Sequence, residues 1–171
     1  EGGRVLCVDP WGAEYIEKYL GGGAAYVNMA EALRSGEVYR RFCSNAAAAD
    51  PRAPVNHLRG SLQQVCDQLQ GKTFDIVYID GDHSAEAVRE DIALTQPLVN
   101  IGGLLCGDDL EVQGGDCDLN VAREIADTVD YAGYHPGVTV AVWEAFGRVW
   151  VRNGVWVVQK TSEHAWQPPE L

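Results

Sequence analysis

The stretch F-D-I-V-Y-I-D-G-D-H-S-A-E-A-V, residues 74–88, decides the fold class of this chain, together with G-G-L-L-C-G-D-D-L at residues 102–110. Each stretch contains a short apolar run that ends in acidic residues. Such runs are typical of strands buried on both faces, as in a parallel sheet. Ligands of open α/β sheets bind outside the carboxyl ends of the strands. We therefore expect the chemistry to involve the polar side chains that follow the two runs, which are Asp80, Asp82, His83, Asp108 and Asp109.

These side chains together favour a metal site with a base beside it. Carboxylates gathered in one crevice repel one another unless a cation or a proton intervenes. Carboxylate oxygens suit a hard divalent cation, and an imidazole that titrates near neutral pH suits a base. Simpler interpretations stand beside this one. Asp82 can cap a helix that starts at Ser84, His83 can be a surface residue of that helix start, and Asp108-Asp109 can form a turn.

Composition limits the classes of partner. The chain has 171 residues, a formal net charge of −12 and a pI of about 4.6. Such a charge argues against nucleic acid or an anionic membrane as a partner, because both require basic surfaces. No apolar run approaches the length of a membrane span, and no signal peptide is visible. The five cysteines are scattered, which favours reduced thiols and a cytoplasmic protein.

Apolar runs and helical segments alternate along one predicted domain, residues 1–160. Strands are predicted at 4–8, 55–59, 74–80 and 104–107. Helices are predicted at 13–20 before a Gly21–Gly23 break, at 26–48 with an interruption near residues 35–36, and at 62–69, 84–98, 118–130 and 138–146. Asn153-Gly154 between two β-rich runs predicts a hairpin. The tail, residues 161–171, is predicted to lack regular structure. Alternating strands and helices predict a parallel sheet, which the terminal hairpin makes mixed.

This layout resembles the class I S-adenosylmethionine (SAM)-dependent methyltransferases. It is most similar to the methyltransferase 24-like, metal-dependent O-methyltransferase group, with I-D-G-D-H after strand four and G-G-L-L-x-G-[HD]-D at strand five. The run P-G-V-T-V-A-V-W-E-A-F, residues 136–146, resembles that group's helix before the final hairpin. The resemblance covers residues 4–160. It implies a Rossmann-like α/β fold, mostly parallel, with a C-terminal antiparallel hairpin.

The resemblance also implies SAM as a cofactor and a set of residues that would bind it. Asp9 matches the acidic residue that hydrogen-bonds the ribose hydroxyls. Pro10 and Trp11 match residues that flank the adenosine. The turn beside the adenine matches Gly60, Ser61 and Leu62. Asp80 matches a residue near the methionine end of the cofactor. Asp9 alone is a weak signal, since an NAD-binding fold carries a similar acidic residue.

The acceptor half of the site follows from the same resemblance. Asp80, Asp108 and Asp109 match ligands of Mg²⁺ or another hard divalent cation, and His83 matches the general base. Close relatives often carry His at the position of Asp108. The implied reaction is metal-assisted O-methyl transfer to a small-molecule hydroxyl. A cation would lower the pKa of that hydroxyl, and a histidine could then accept its proton.

One departure from the family concerns its first strand. That strand and its acidic-x-Gly-x-x-x-Gly turn would precede the position of Glu1, and Gly21–Gly23 follow Asp9 and cannot replace them. Three explanations stay open: the sequence is a fragment, another chain or a rearrangement fills the gap, or SAM binding is lost. A sheet without this strand has two unpaired edges, so we expect a homo-oligomer. The alternatives to a methyltransferase are a non-catalytic remnant that serves as a binding or oligomerisation module, and a metal-dependent hydroxylase or hydrolase.

Overall fold

The computed structural model describes residues 3–17 and 24–170. Its contacts divide the chain into two compact units, residues 1–68 and 69–171. The predicted Gly21–Gly23 break lies outside the described residues.

The first unit contains a parallel pair of strands. These are β1 (Val5–Asp9) and β2 (Val55–Arg59), aligned so that Asp9 lies opposite Arg59. Three helices connect them in the sequence: α1 (Glu14–Glu17), α2 (Ala24–Arg34) and α3 (Glu37–Ala47). The predicted interruption near residues 35–36 is present, because Gly36 has a φ of 70° and separates α2 from α3.

The helix after β2 starts with a reciprocal pair of hydrogen bonds. It is α4 (Leu62–Leu69). The Gln64 backbone N–H donates to Ser61 Oγ at 3.3 Å, and the Ser61 backbone N–H donates to Gln64 Oε1 at 2.9 Å. This is a capping box, which satisfies two donors at the helix start. The structure therefore confirms the predicted cap at Ser61.

The second unit contains a mixed five-stranded sheet. Its order is β3-β4-β6-β5, with β7 paired to β6. The β3–β4 pair is parallel and the other pairs are antiparallel. The strands are β3 (Phe74–Ile79), β4 (Val99–Gly107), β5 (Trp150–Arg152), β6 (Val155–Ser162) and β7 (Ala165–Gln167).

Three helices accompany this sheet and share its core. They are α5 (Ala85–Thr95), α6 (Leu119–Ile125) and α7 (Pro136–Phe146). Alternate residues of the strands face the helices. The main core cluster includes Leu105, Trp156 and Val158 from the sheet, Ile92 from α5 and Val142 from α7. Burial of this apolar face is the main stabilising contribution of the unit.

The predicted hairpin is confirmed, and its turn explains the Asn-Gly pair. Asn153 has a φ of 52° and Gly154 has a φ of 84°, so both central residues are left-handed. Two positive φ values are characteristic of a type I′ turn, whose twist matches that of the flanking strands.

The prediction that the tail lacks regular structure is wrong for its first half. Strand β6 continues to Ser162 and pairs with β7, at Ala165–Gln167. Trp166 explains the difference, since its ring packs 5.6 Å from that of Phe146 in α7. The Glu163-His164 turn lacks the Gly or Asn that usually marks a hairpin, so the local sequence did not reveal this strand.

The Rossmann-like mixed α/β fold predicted from the sequence is confirmed. Strands β1 to β4 form parallel pairs, and the C-terminal strands are antiparallel. Within the described residues, β1 pairs only with β2, and β3 pairs only with β4. In this part of the chain, no helix has the length and apolar character needed to cross a membrane.

Candidate functional site

The carboxyl ends of β3 and β4 bring two acidic segments together. Ile79 pairs with Gly107, and the Asp108 backbone N–H donates to the Ile79 carbonyl at 3.1 Å. Asp80 and Asp109 therefore follow two adjacent strands at one edge of the sheet. Asp109 has a φ of 62°, a left-handed conformation that is uncommon for a residue with a side chain. Such strain is often found at functional sites.

The turn between β3 and α5 presents His83. Ser84 is the N-cap of α5 and accepts a hydrogen bond from the Ala87 backbone N–H. Asp82 Oδ1 accepts from the Ser84 backbone N–H at 2.9 Å. Asp82 thus stabilises the start of the helix, which agrees with its interpretation as a capping residue.

His83 lies between two carboxylates. Its Nε2 is 3.0 Å from Asp109 Oδ2, and its Nδ1 is 3.0 Å from Asp130 Oδ1. Asp80, His83 and Asp109 each offer a ligand atom, and these atoms all lie within 4.8 Å of one another. The cavity beside them has a volume of about 10 Å³, which is the size of a single water or ion. The two carboxylates can supply oxygen ligands to a small cation, and the imidazole lies beside them.

Asp108 does not belong to this group of three. Its Oδ1 accepts from the Asp109 backbone N–H at 3.0 Å, and it lies near the hairpin turn at Gly154. The nearby Tyr78 hydroxyl has a raised pKa, because of its burial and then because of the Asp108 carboxylate. Asp108 lines the same cavity, and its role as a metal ligand stays a prediction.

A second imidazole–carboxylate pair lies beside the first. His135 Nδ1 is 2.9 Å from Glu111 Oε1, and the His135 backbone N–H donates to Glu111 Oε2 at 3.2 Å. The His135 and His83 rings are 4.4 Å apart, and His135 Nδ1 is 3.8 Å from Asp109 Oδ1. Partial burial raises the pKa of Asp109, whereas the two imidazoles act in the opposite direction.

Sequence reasoning missed Asp130 and Glu111. Asp130 is 47 residues from His83, so no short motif connects them. The predicted helix 118–130 ends at Ile125, and Asp130 therefore lies in a loop. His135 lies in the same cluster.

The residues predicted to bind the cofactor lie mainly in the first unit. Asp9 is the last residue of β1 and Gly60 directly follows β2, and the Gly60 backbone N–H donates to the Asp9 carbonyl at 3.1 Å. Gly60 has a φ of 155°, and a Cβ there would be 3.0 Å from Val65 Cγ1. This turn therefore favours glycine. Ser61 and Leu62 follow it at the start of α4.

Trp11 is buried among aromatic rings of the same unit. It is 6% exposed, with ring centroids 5.1 Å from Tyr39 and 4.6 Å from Phe42. Its backbone N–H donates to Asp9 Oδ1, and Pro10 lies between the two residues. Asp9 is held in β1 and the Trp11 ring packs in this core, so both ends of the segment Asp9–Trp11 are fixed.

The mixed α/β fold, with polar side chains after β3 and β4, agrees with the class I SAM-dependent methyltransferases predicted from the sequence. A family model described as a methyltransferase domain matches residues 1–110. The chain belongs to this family, within the methyltransferase 24-like group predicted from the sequence. No curated protein matches the chain.

Solved structures similar to this chain include an O-methyltransferase, a methyltransferase and a protein of unstated activity. The O-methyltransferase NovP has 20% identity and a TM-score of 0.53, with coverage of 93% of this chain and 60% of that one. A protein from Corynebacterium glutamicum has 19% identity and a TM-score of 0.44, with coverage of 93% and 61%. The methyltransferase MycE, in complex with Mg, SAH and mycinamycin VI, has 17% identity and a TM-score of 0.47, with coverage of 100% and 48%. The chain therefore spans about three fifths or less of these proteins.

Proposed function

We propose that this chain acts in a SAM-dependent O-methyltransferase that uses a divalent cation and a small-molecule hydroxyl acceptor. The observation that carries the proposal is the convergence of Asp80, His83 and Asp109 beside a cavity of one-ion size. Family membership supports methyl transfer, and the fold of NovP supports the same scaffold.

The donor set fits a hard divalent cation. Two carboxylates supply oxygen ligands, which Mg²⁺ prefers, and the third predicted oxygen ligand is Asp108. When bound, the cation would lower the pKa of an acceptor hydroxyl, and SAM would supply an electrophilic methyl group. Asp9, with Gly60, Ser61 and Leu62, is proposed to hold the ribose and adenine of SAM.

His83 is the proposed base. Its Nε2 faces the carboxylate cluster, and Asp130 occupies its other nitrogen. A proton leaving an acceptor hydroxyl near Asp80 and Asp109 would be taken by Nε2. Proton transfer by a positioned base of this kind contributes about 10²–10⁴-fold to a rate.

The experiment is isothermal titration calorimetry with SAM, in the presence and absence of Mg²⁺. We expect SAM to bind, with stronger binding when Mg²⁺ is present. The Asp109→Asn variant should lose the Mg²⁺ effect while retaining its backbone, because Asn tolerates a positive φ. Asp75→Asn is the matched control, since Asp75 is a carboxylate of β3 that contacts Asn100 outside the cluster.

Each alternative has its own outcome in this experiment. Binding of Mg²⁺ without SAM would favour a metal-dependent hydroxylase or hydrolase. Binding of neither ligand would favour a non-catalytic module. If Asp75→Asn lost the Mg²⁺ effect to the same extent as Asp109→Asn, the assigned metal site would be contradicted.

We also propose that the protein self-associates in the cytoplasm. Support comes from the exposed apolar side chains of β3, where Ile76 is 62% exposed and Tyr78 is 50% exposed. Unpaired strand edges and exposed apolar faces favour association with another copy. The free state of the five cysteines is consistent with a reducing compartment.

A further inference from the structure

The turn after β1 is held by contacts to both ends of one peptide group. The Pro10 carbonyl and the Trp11 backbone N–H belong to the same planar peptide unit. The N–H donates to Asp9 Oδ1, and the carbonyl accepts a hydrogen bond from Arg59 Nε at 3.3 Å. The orientation of this peptide group therefore determines where the Asp9 carboxylate accepts its hydrogen bond.

The backbone of Trp11 needs such support. Its φ is 45°, a left-handed value that is uncommon for a residue with a large side chain. Residues in sparsely populated conformations persist only where the surrounding structure holds them. The buried Trp11 ring, whose centroid lies 5.1 Å from that of Tyr39, is one such support. The hydrogen bond from Arg59 to Pro10 is a second.

Arg59 is itself positioned by two elements of the same unit. It is the last residue of β2 and lies opposite Asp9 in the register of the strand pair. Its guanidinium carbon lies 4.7 Å from the centroid of the Tyr39 ring, on α3, and a cation over an aromatic ring is attracted to it. The Tyr39 hydroxyl oxygen is 2.9 Å from Nε2 of His57, on β2. Tyr39 thus holds the guanidinium group that donates to the turn.

We infer that Arg59 is a positioning residue, which holds the Pro10–Trp11 peptide group and thereby orients the Asp9 carboxylate. The inference rests on the proposed function, in which Asp9 binds the ribose of SAM. A hydrogen bond from a cation to a peptide carbonyl also polarises the N–H of the same group and strengthens it as a donor. Arg59 therefore acts on the ribose through Asp9.

The first test is amide hydrogen exchange, measured by nuclear magnetic resonance without any ligand. In Arg59→Ala we expect the Trp11 amide to exchange about threefold to tenfold faster, an effect that corresponds to the loss of one hydrogen bond. Arg59→Lys keeps a cation and a donor, so it should recover part of the protection. Arg52→Ala is the matched control and should leave this amide unchanged, because Arg52 precedes β2 and pairs with Asp50.

Three results of these measurements would overturn the inference. The first is equal exchange of the Trp11 amide in the wild type and in folded Arg59→Ala. The second is equal acceleration in Arg52→Ala. The third is a mobile Arg59 side chain in the wild type, with an Nε–H order parameter below about 0.6, which decides the matter even if Arg59→Ala fails to fold.

The second test separates positioning from a general loss of stability. Calorimetry compares the binding of S-adenosylhomocysteine with that of its 2′-deoxy analogue, which lacks one ribose hydroxyl. The wild type should bind the analogue more weakly, and in Arg59→Ala the ratio of the two affinities should shrink by at least about threefold. Arg52→Ala should keep the wild-type ratio. Equal affinity of the wild type for the two ligands, or an unchanged ratio in Arg59→Ala, would overturn the inference.

The two tests also separate the inference from the proposed function. If the wild type bound neither ligand, the proposed function would be contradicted, and hydrogen exchange would still decide whether Arg59 holds the turn. If the wild type bound S-adenosylhomocysteine and Arg59→Ala changed neither the exchange rate nor the ratio, the role of Arg59 alone would be contradicted.

Discussion

At the scale of single residues, the site depends on side chains whose partners come from distant parts of the chain. His83 follows β3, whereas Asp109 follows β4 and Asp130 lies in the loop before α7. Contacts with carboxylates at both ring nitrogens hold the imidazole in one orientation before any ligand arrives. Preorganisation of this kind reduces the cost of aligning a base with its substrate.

Asp91 on α5 gives a pH-dependent prediction. Its pKa is raised to about 6, mainly by burial and then by the nearby carboxylates of Glu90 and Asp82. Its Oδ2 lies close to the Gly81 backbone, 3.1 Å from the position that a Cβ would take there. Because the folded-state pKa lies above the unfolded value, the folded state binds the proton more tightly. That stabilisation is present below about pH 4 and is lost as the pH rises through about 6.

We therefore expect Asp91→Asn to raise the free energy of unfolding at about pH 8 by about 1–3 kcal/mol, and to have little effect at about pH 4. Urea denaturation at the two pH values measures the difference. Glu124→Gln, at an exposed carboxylate of α6, should show no such dependence. Destabilisation by Asp91→Asn at the higher pH would contradict the prediction.

At the scale of elements, the β5–β6 hairpin supports the proposed metal site. The Leu110 backbone N–H donates to the Gly154 carbonyl at 2.8 Å, directly after the Asp108-Asp109 pair. A Cβ at Gly154 would lie 3.6 Å from Asp108 Oδ1. The turn thus packs against the acidic segment, which links hairpin geometry to the position of the carboxylates.

We expect Gly154→Val to destabilise the protein by at least about 1 kcal/mol, because a β-branched residue strains the φ of 84°. It should also weaken the Mg²⁺ effect on SAM binding. Asn153→Gly is the matched control, since glycine adopts the same positive φ without strain. Thermal denaturation and calorimetry measure the two effects. A stable Gly154→Val with an unchanged Mg²⁺ effect would show that the hairpin does not position the site.

At the scale of the whole molecule, the second unit leaves one face of its sheet partly exposed. Ile76 and Tyr78 lie on the same face of β3, whereas Val77 and Ile79 point to the core and pack against it. An exposed apolar strand face is a common site of association.

We expect concentration-dependent association in sedimentation velocity experiments. Burial of an isoleucine contributes roughly 1.5–3 kcal/mol, so Ile76→Lys should weaken association by at least about tenfold. Val121→Lys is the control, because Val121 is a similarly exposed apolar residue on α6, with 52% exposure. A monomer at all concentrations, or equal effects of both variants, would be evidence against self-association through this face.

The sequence predicted the fold well wherever the local signal was strong. The Asn153-Gly154 turn, the Ser61 cap and the strand before Asp80 all follow from local conformational preference. The β7 strand was missed because its pairing with β6 depends on Trp166 packing against Phe146. Such a contact between distant residues leaves no local pattern.

The sequence by itself predicted an α/β fold with Asp80, His83 and Asp109 directly after two apolar strands, and its resemblance to a known family implied a methyltransferase. Short apolar runs and the acidic residues that follow them are local features, which suffice to place these side chains at strand ends. Only the tertiary structure decided that Asp130 and the His135–Glu111 pair join the cluster, whereas Asp108 contacts the hairpin turn. The physical reason is that hydrogen bonds between distant loops depend on how helices and strands pack, which residue spacing does not encode.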